Sequence, residues 1–374
     1  MDILPVNFKV LSFCGVWREQ EETRTFARLL NLCYKLFVIT LIFCFTLLEF
    51  IELIVSHENI EDMSENLFIV FTYIALCIKF LNFLLRKKEL SILLDLLREE
   101  ICRPKNLAEA MILETYNRRA KWCALSFMAL AQSTGIALVA APIMELHRSA
   151  RALPFKTYLP YSTVELYAYL ATYLMHIASI TYGILLNVSF DSLVYGFTLH
   201  ACGQISILCE RCTKSLDSGS ISNEIEKCVR HHVLIHDLVK RIESLFVSTV
   251  AVLFFFSLIT LCTSIFQMSK KDPLTVKFLS LVLYTGSMLL QVFFYCWYGN
   301  ELRLKNKEIA DAVYTGEWLI STPQDRRNIR FLMMISQKEL LLSYHGIFSL
   351  NVDVFTWILK TSYSAFNILQ QMSI

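Results

Sequence analysis

Apolar runs of membrane-spanning length recur along the chain, and they constrain its fold more than any motif does. A helix crosses a hydrocarbon core of about 30 Å with about 20 mainly apolar residues. The runs fall at Cys33–Ser56, Ser64–Leu85, Trp122–Met144, from near Thr163 past Asn187 toward Cys212, Ser244–Met268, Leu274–Tyr298 and Gly346–Gln371. A length of 374 residues alone suggests two or three soluble domains. Composition overrules that: 55% of residues are hydrophobic, 18% are charged and the mean hydropathy is +0.48. The expected class is an all-α polytopic membrane protein with seven transmembrane helices. It reads as one domain over 1–374, with a cytosolic segment at 1–32. Spans one to six with helical extensions cover 33–298, a cytosolic anchor helix and loop cover 299–345, and the last span covers 346–371.

Lysine and arginine set the expected orientation, because they accumulate on the cytoplasmic side. The segments before span one and after spans two, four and six, together with Lys35 at the start of span one, hold 27 of the 35 basic residues, Lys9, Arg24, Arg86, Arg211 and Arg303 among them. The opposite loops offer only Arg148, Arg151, Lys156, Lys270, Lys271 and Lys277. The N-terminus is therefore expected inside and the C-terminus outside, opposite to G-protein-coupled receptors. None of the twelve cysteines lies in an expected outer loop, so no disulfide is expected. The first 32 residues lack a short apolar core with a small-residue cleavage site, which leaves targeting to span one. Because the charges divide by membrane side, the net charge of +2 does not point to nucleic acid.

The cytoplasmic segments are themselves expected to be helical. Leu90–Ile101, Ile221–Ile242 and Glu301–Trp318 are amphipathic and need a partner surface. That surface is either another subunit or the remainder of this one. Cys228, His231, His232 and His236 stand at helical spacing that zinc uses, but without a second ligand pair they read as a solvated helix face and no metal is expected. Asn187-Val188-Ser189 matches a glycosylation sequon but lies within or below span four. Glu49 and Glu52 read as interfacial or paired at the outer end of span one. No Gly-rich phosphate loop, nucleophile elbow or carboxylate pair placed for hydrolysis is present, so neither enzyme chemistry nor a cofactor is expected.

Two sets of positions point to function. In the outer half, Phe68, Phe71 and Thr72 on span two, Ser133, Ile136 and Ala140 on span three, Tyr169, Tyr173, His176 and Ile177 on span four, and Leu279, Leu283 and Tyr284 on span six are mainly aromatic and apolar. Such a lining suits a small, mostly apolar organic molecule, although for each residue alone ordinary helix packing explains it as well. No outer-half carboxylate converges with these aromatics, so a neutral ligand is expected. In the last span Ser349, Asp353, Thr356, Lys360, Ser364, Asn367 and Gln371 fall on one stripe at about 100° per residue. Polar groups inside a span face water or a bundle interior, so this stripe marks a wet path or a polar seam.

With these features in place, the chain resembles the insect odorant receptors, the tuning subunits of odorant-gated cation channels. The resemblance rests on Leu199–Cys212, Cys228–Phe246, Gln291–Leu302, Ile309–Trp318 and Leu359–Leu369. The sister gustatory receptors carry Thr-Tyr, five residues, then Gln-Phe in the last span. Here Ser362-Tyr363 is followed by six residues before Gln370, and no Phe follows.

The resemblance implies a heterotetramer with the odorant receptor co-receptor, joined through the cytosolic anchor, in the plasma membrane of sensory neuron dendrites. It implies a volatile ligand between spans two, three, four and six, and a pore lined by the last helix of each subunit. Gate positions carry over near Phe366 and Gln370, which face roughly 60–160° away from the polar stripe at about 100° per residue. Leu369 and Phe366 are apolar next to Asn367, Gln370 and Gln371, which suits a constriction that closes by dewetting. Lys360 either turns away to pair with an acid or is offset by acidic groups of the co-receptor. The alternative is a gustatory-like chemoreceptor of the superfamily, which the departure from the last-span pattern disfavours, or a metabotropic-type one, which the inferred topology and the absent Asn-Pro-x-x-Tyr pattern disfavour. A transporter would show inverted repeats or broken spans.

Overall fold

The structure, a computed structural model, describes residues 3–18, 25–55, 60–144, 152–217, 221–273, 275–315, 322–344, 346 and 348–372. Arg24, Ser56, Arg148, Arg151, Leu274 and Trp318, named above, lie outside the described residues. The elements in order are α1 (Pro5–Phe13), α2 (Thr25–Val55), α3 (Ile60–Leu85), α4 (Lys87–Arg98), α5 (Leu107–Met144), α6 (Leu166–Asp217), α7 (Ile221–Lys270), α8 (Val276–Tyr314), α9 (Pro323–Ser336), β1 (Ser343–Tyr344), β2 (Phe348–Ser349) and α10 (Val352–Met372). Six of them, α2, α3, α5, α6, α7 and α8, are long and apolar enough to cross a membrane. α10, with 21 residues, supplies the seventh helix of the fold.

The expected cytosolic helices are not separate elements. α7 joins Ile221–Ile242 to Ser244–Met268, α8 joins span six to the anchor segment as far as Tyr314, and α5 starts at Leu107 rather than Trp122. No proline separates these segments, and a nucleated helix extends readily. At about 1.5 Å per residue, the 52 residues of α6 reach about 78 Å, more than twice the hydrocarbon core. α5, α7 and α8 overshoot as well, and α7 packs with α4 and α9 while α8 packs with α9. α4 is built for this. It buries Leu90, Leu93, Leu94 and Leu97, one helical stripe, and ends ahead of a 3-10 turn at Glu100–Cys102.

α6 is the centre of the bundle. Every side chain from Val188 to Ile205 is buried. α2 lies at the periphery, where Phe26, Leu29, Leu30, Leu36, Phe37 and Leu47 are each more than half exposed, as lipid-facing residues are.

In the cytosolic bundle the buried polar groups around Arg211, Gln204 and His231 bond to one another. Arg211 lies 2.8 Å from Glu109 and donates to the carbonyl oxygens of Ile101 (2.6 Å) and Arg103 (2.8 Å). Gln204 gives its amide nitrogen to the Cys102 carbonyl at 3.1 Å, so its oxygen accepts from His231 Nε2 at 2.9 Å. That leaves His231 Nδ1 to accept from Arg211 at 3.3 Å. The expected solvated face is therefore wrong for Cys228, His231 and His232, which are buried because this face of α7 turns inward; only His236 is half-exposed. Among the described residues no cluster of three metal-ligating side chains forms. His231→Leu is expected to lower stability by about 1–3 kcal/mol, because it strands the Gln204 oxygen. Thermal unfolding in detergent reads this, and an unchanged midpoint would contradict it.

The last helix also starts later than expected. Residues from Gly346 do not enter it; they close a hairpin in which Ser343 faces Ser349 and Tyr344 faces Phe348. Gly346 has φ +73°, a left-handed value that glycine adopts without a Cβ clash. Glu243 of α7 holds the hairpin by accepting from the Ser343 backbone NH (3.1 Å) and hydroxyl (2.9 Å). Asn351 then caps α10 by accepting from the Val354 NH at 2.9 Å. Ser349 thus drops out of the helical stripe. α8 passes against this turn at Gly299, where a Cβ would fall 2.4 Å from the Leu350 carbonyl oxygen.

Candidate functional site

Helices α3, α5, α6 and α8 enclose a cavity of about 90 Å³ in the membrane part of the bundle. Its walls are largely apolar, with Ile69, Leu138, Ile180 and Met288 among them. Four hydroxyls on the wall pair with each other, while Tyr73 Oη has no hydrogen-bond partner among the described residues. Tyr284 Oη lies 2.5 Å from Thr72 Oγ1 and donates to the Phe68 carbonyl at 3.0 Å; Thr134 Oγ1 lies 3.0 Å from Ser287 Oγ.

A second chamber of about 230 Å³ adjoins it and shares Ile69, Leu138 and Phe155. Glu49, Asn66 and Ser280 line it, with Lys156, Lys271 and Lys277. Glu49 is 1% exposed, so it is not the interfacial residue the sequence suggests. Its face of α2 turns toward the bundle, and its Oε1 has no hydrogen-bond partner. A carboxyl therefore does stand next to the apolar cavity, one chamber away.

Of the thirteen residues expected around a ligand, Thr72 and Tyr284 line the cavity, and Phe68 lines the second chamber with its ring 4.9 Å from that of Tyr284. The others sit elsewhere. Phe71 stacks on Phe256 of α7 at 5.1 Å. Tyr173 donates to the Val139 carbonyl at 2.6 Å and Tyr169 to that of Ala152 at 3.2 Å. His176 is buried edge-on to Phe45 and lies 3.1 Å from Thr157 Oγ1. Ser133, Ile136 and Leu279 face outward and are exposed, while Ala140, Ile177 and Leu283 are half-buried and line neither chamber. The physical reason is rotation: on α5 the face turned inward carries Thr134 and Gly135, one step round from Ser133 and Ile136.

The inner end of the cavity rests on a polar cluster that the outer-half reading missed. Lys79 of α3 reaches Asp191 of α6 at 2.5 Å and donates to Asn187 Oδ1 at 2.8 Å. Tyr295 of α8 donates to Asp191 at 2.6 Å, and Gln291 donates to the other carboxylate oxygen. Lys79 and Asp191 are at most 5% exposed. Asn187 and Gln291 also line the cavity. The signal for this cluster was in the sequence, since a lysine in span two and an aspartate in the long fourth helix are ionisable residues inside apolar runs.

The last helix presents a different surface. Ile358 and Ser362 are its buried positions, turned to the bundle, where Ser362 contacts the Leu258 carbonyl of α7 at 3.5 Å. Asp353, Thr356, Lys360, Ser364 and Gln371 lie on the opposite face and are exposed, and Asn367 is half-exposed. The stripe is therefore not a seam within this chain. Phe366 and Leu369 are half-buried, and Gln370 is exposed at the edge of the stripe.

Comparison with known proteins gives a consistent family and fold. The profile of the family described as 7tm odorant receptor matches residues 59–363. Odorant receptor 46a, isoform A, of Drosophila melanogaster is 22% identical over 97% of this chain and 96% of its own length. Odorant receptor Or2 of Anopheles gambiae is 22% identical over 87% of this chain and 88% of its own. Among solved structures, the insect olfactory receptor OR5 from Machilis hrabei in complex with eugenol superposes with a TM-score of 0.89 at 19% identity, covering 99% of this chain and 97% of that one.

Proposed function

The chain belongs to the 7tm odorant receptor family, a multi-pass membrane receptor and not an enzyme, and from that premise we propose that it is the odorant-binding subunit of a ligand-gated cation channel. A small neutral volatile occupies the cavity between α3, α5, α6 and α8, and ions pass along the stripe of α10. The observation that carries the reading is the orientation of α10: its polar residues turn away from the chain's own bundle. A charged and polar helix face directed at lipid is costly, so other subunits and water cover it. The partner subunit is the odorant receptor co-receptor, in a heterotetramer joined through the cytosolic bundle. The N-terminus lies inside and the C-terminus outside, by the basic-residue asymmetry.

The constriction falls within Phe366–Gln371, where apolar Phe366 and Leu369 stand beside polar Asn367, Gln370 and Gln371. Lys360 is exposed on the stripe, and among the described residues no acid of this chain pairs with it. Its charge is thus left to be offset by a neighbouring subunit. Ligand opens the pore only through tighter binding to the open state, and the hairpin between α7, α8 and α10 is the physical link. The test is whole-cell recording of the chain expressed with and without the co-receptor. Odorant-evoked cation current is expected from the pair; current that instead requires G-protein signalling would overturn the reading.

A further inference from the structure

The polar cluster under the cavity fixes which way two amides point. Lysine only donates and carboxylate only accepts. Asn187 therefore gives its oxygen to Lys79, and Gln291 gives its nitrogen to Asp191. Either amide, flipped, would set like groups together beside an ion pair that is at most 5% exposed. What remains of Asn187 is an NH2 donor, and what remains of Gln291 is a carbonyl acceptor. Among the described residues neither remaining group has a hydrogen bond, and both residues line the cavity. On the rest of the wall the hydroxyls of Thr72, Thr134, Tyr284 and Ser287 are occupied with each other or with backbone, and Tyr73 Oη is left without a partner among the described residues.

We propose that Asn187 and Gln291 form an oxygen-reading floor, and that the chain selects small oxygenated odorants whose single hydroxyl or carbonyl points inward while the hydrocarbon part fills the apolar cavity. An alcohol uses both groups, donating to Gln291 and accepting from Asn187. A ketone uses Asn187 alone, and an alkane uses neither while leaving both without a partner. The Lys79–Asp191 pair positions the two amides; it does not itself touch the ligand. This rests on the reading that the odorant occupies this cavity.

The test uses the chain co-expressed with the co-receptor and matched triads of alcohol, ketone and alkane, straight-chain and benzenoid, of five to nine carbons. In the unmodified receptor the expected order of potency is alcohol, then ketone, then alkane, each step about three- to tenfold for one hydrogen bond. Gln291→Met is expected to bring the alcohol down to the ketone while leaving the ketone within about threefold. Asn187→Leu is expected to bring the ketone down to the alkane. A purely structural role would shift all members of a triad together. Equal potency of alkane and alcohol, no response to any triad, or parallel shifts in both variants would overturn the proposal. Gly135→Val, which crowds the cavity from the opposite wall, separates the two ideas. If it removes the responses while Gln291→Met leaves the ranking intact, the floor proposal fails and the cavity stands. Responses unchanged by Gly135→Val would remove the cavity reading itself.

Discussion

Asp191→Ala is expected to cost about 3–5 kcal/mol, the range for removing one partner of a buried ion pair, and to reduce surface delivery severely. The carboxylate ties three helices together: it accepts from Lys79 of α3, and from Gln291 and Tyr295 of α8. Its removal leaves the Lys79 ammonium, 5% exposed, with only the Asn187 oxygen. Folded domains hold only about 5–15 kcal/mol of stability, so the loss is a large fraction of the total. The neutral double variant Lys79→Met with Asp191→Asn separates charge burial from packing. An amide at position 191, with its oxygen in the place of Oδ2, still accepts from Gln291, and its nitrogen in the place of Oδ1 donates to the Tyr295 hydroxyl, which can accept as well as donate. The double variant is therefore expected to be more stable than Asp191→Ala, although it carries one more substitution. Thermal unfolding of the detergent-solubilised complex checks both. A midpoint for Asp191→Ala within about a degree of the parent would contradict the account.

Gly135→Val is expected to raise the half-maximal odorant concentration at least about a hundredfold, with surface expression kept. A Cβ at this position meets Ile184 Cδ1 at 2.6 Å and then Ile180. Both contacts are ends of flexible side chains, so they move instead of breaking the fold. The room they move into is the cavity of about 90 Å³ that Ile180 and Ile184 already line. Overpacking costs about 1–3 kcal/mol, and a hundredfold loss corresponds to about 2.7 kcal/mol of binding free energy. Dose–response curves together with surface biotinylation decide the matter. Full potency in the variant would place the ligand in another part of the bundle.

The membrane helices were legible because apolar length is a property of sequence alone. The joints between helices were less so. Leu274–Tyr298 and Glu301–Trp318 differ sharply in polarity, yet α8 (Val276–Tyr314) continues from the first into the second, because helix continuity depends on the backbone and membrane depth sets polarity. The late start of α10 had a local signal in Gly346 and Asn351, a turn residue and a cap, inside a run that hydropathy alone assigns to the span. The cavity was half-legible. Depth along each helix was readable from the direction of the spans, and that put Thr72 and Tyr284 among the residues that line the cavity. Rotation was not readable at this accuracy, and one residue of rotation is about 100°. That is the difference between Ser133, which is exposed, and Thr134, which is buried against Ser287. The common face of the α10 stripe was legible because six polar residues agree on one direction, whereas each wall residue stood alone.

The central claim is that the face of α10 bearing this stripe lines an odorant-opened ion path. Cysteine substitution along α10 in the co-assembled channel, probed with a charged, membrane-impermeant thiol reagent, tests it most directly. With odorant present, Lys360→Cys, Ser364→Cys and Gln371→Cys are expected to show current changes well beyond those of the unmodified receptor, and faster than without odorant. Ile358→Cys and Ser362→Cys, turned to the bundle, are expected to show none. Modification at 358 and 362 with silence at 360, 364 and 371 would contradict the claim.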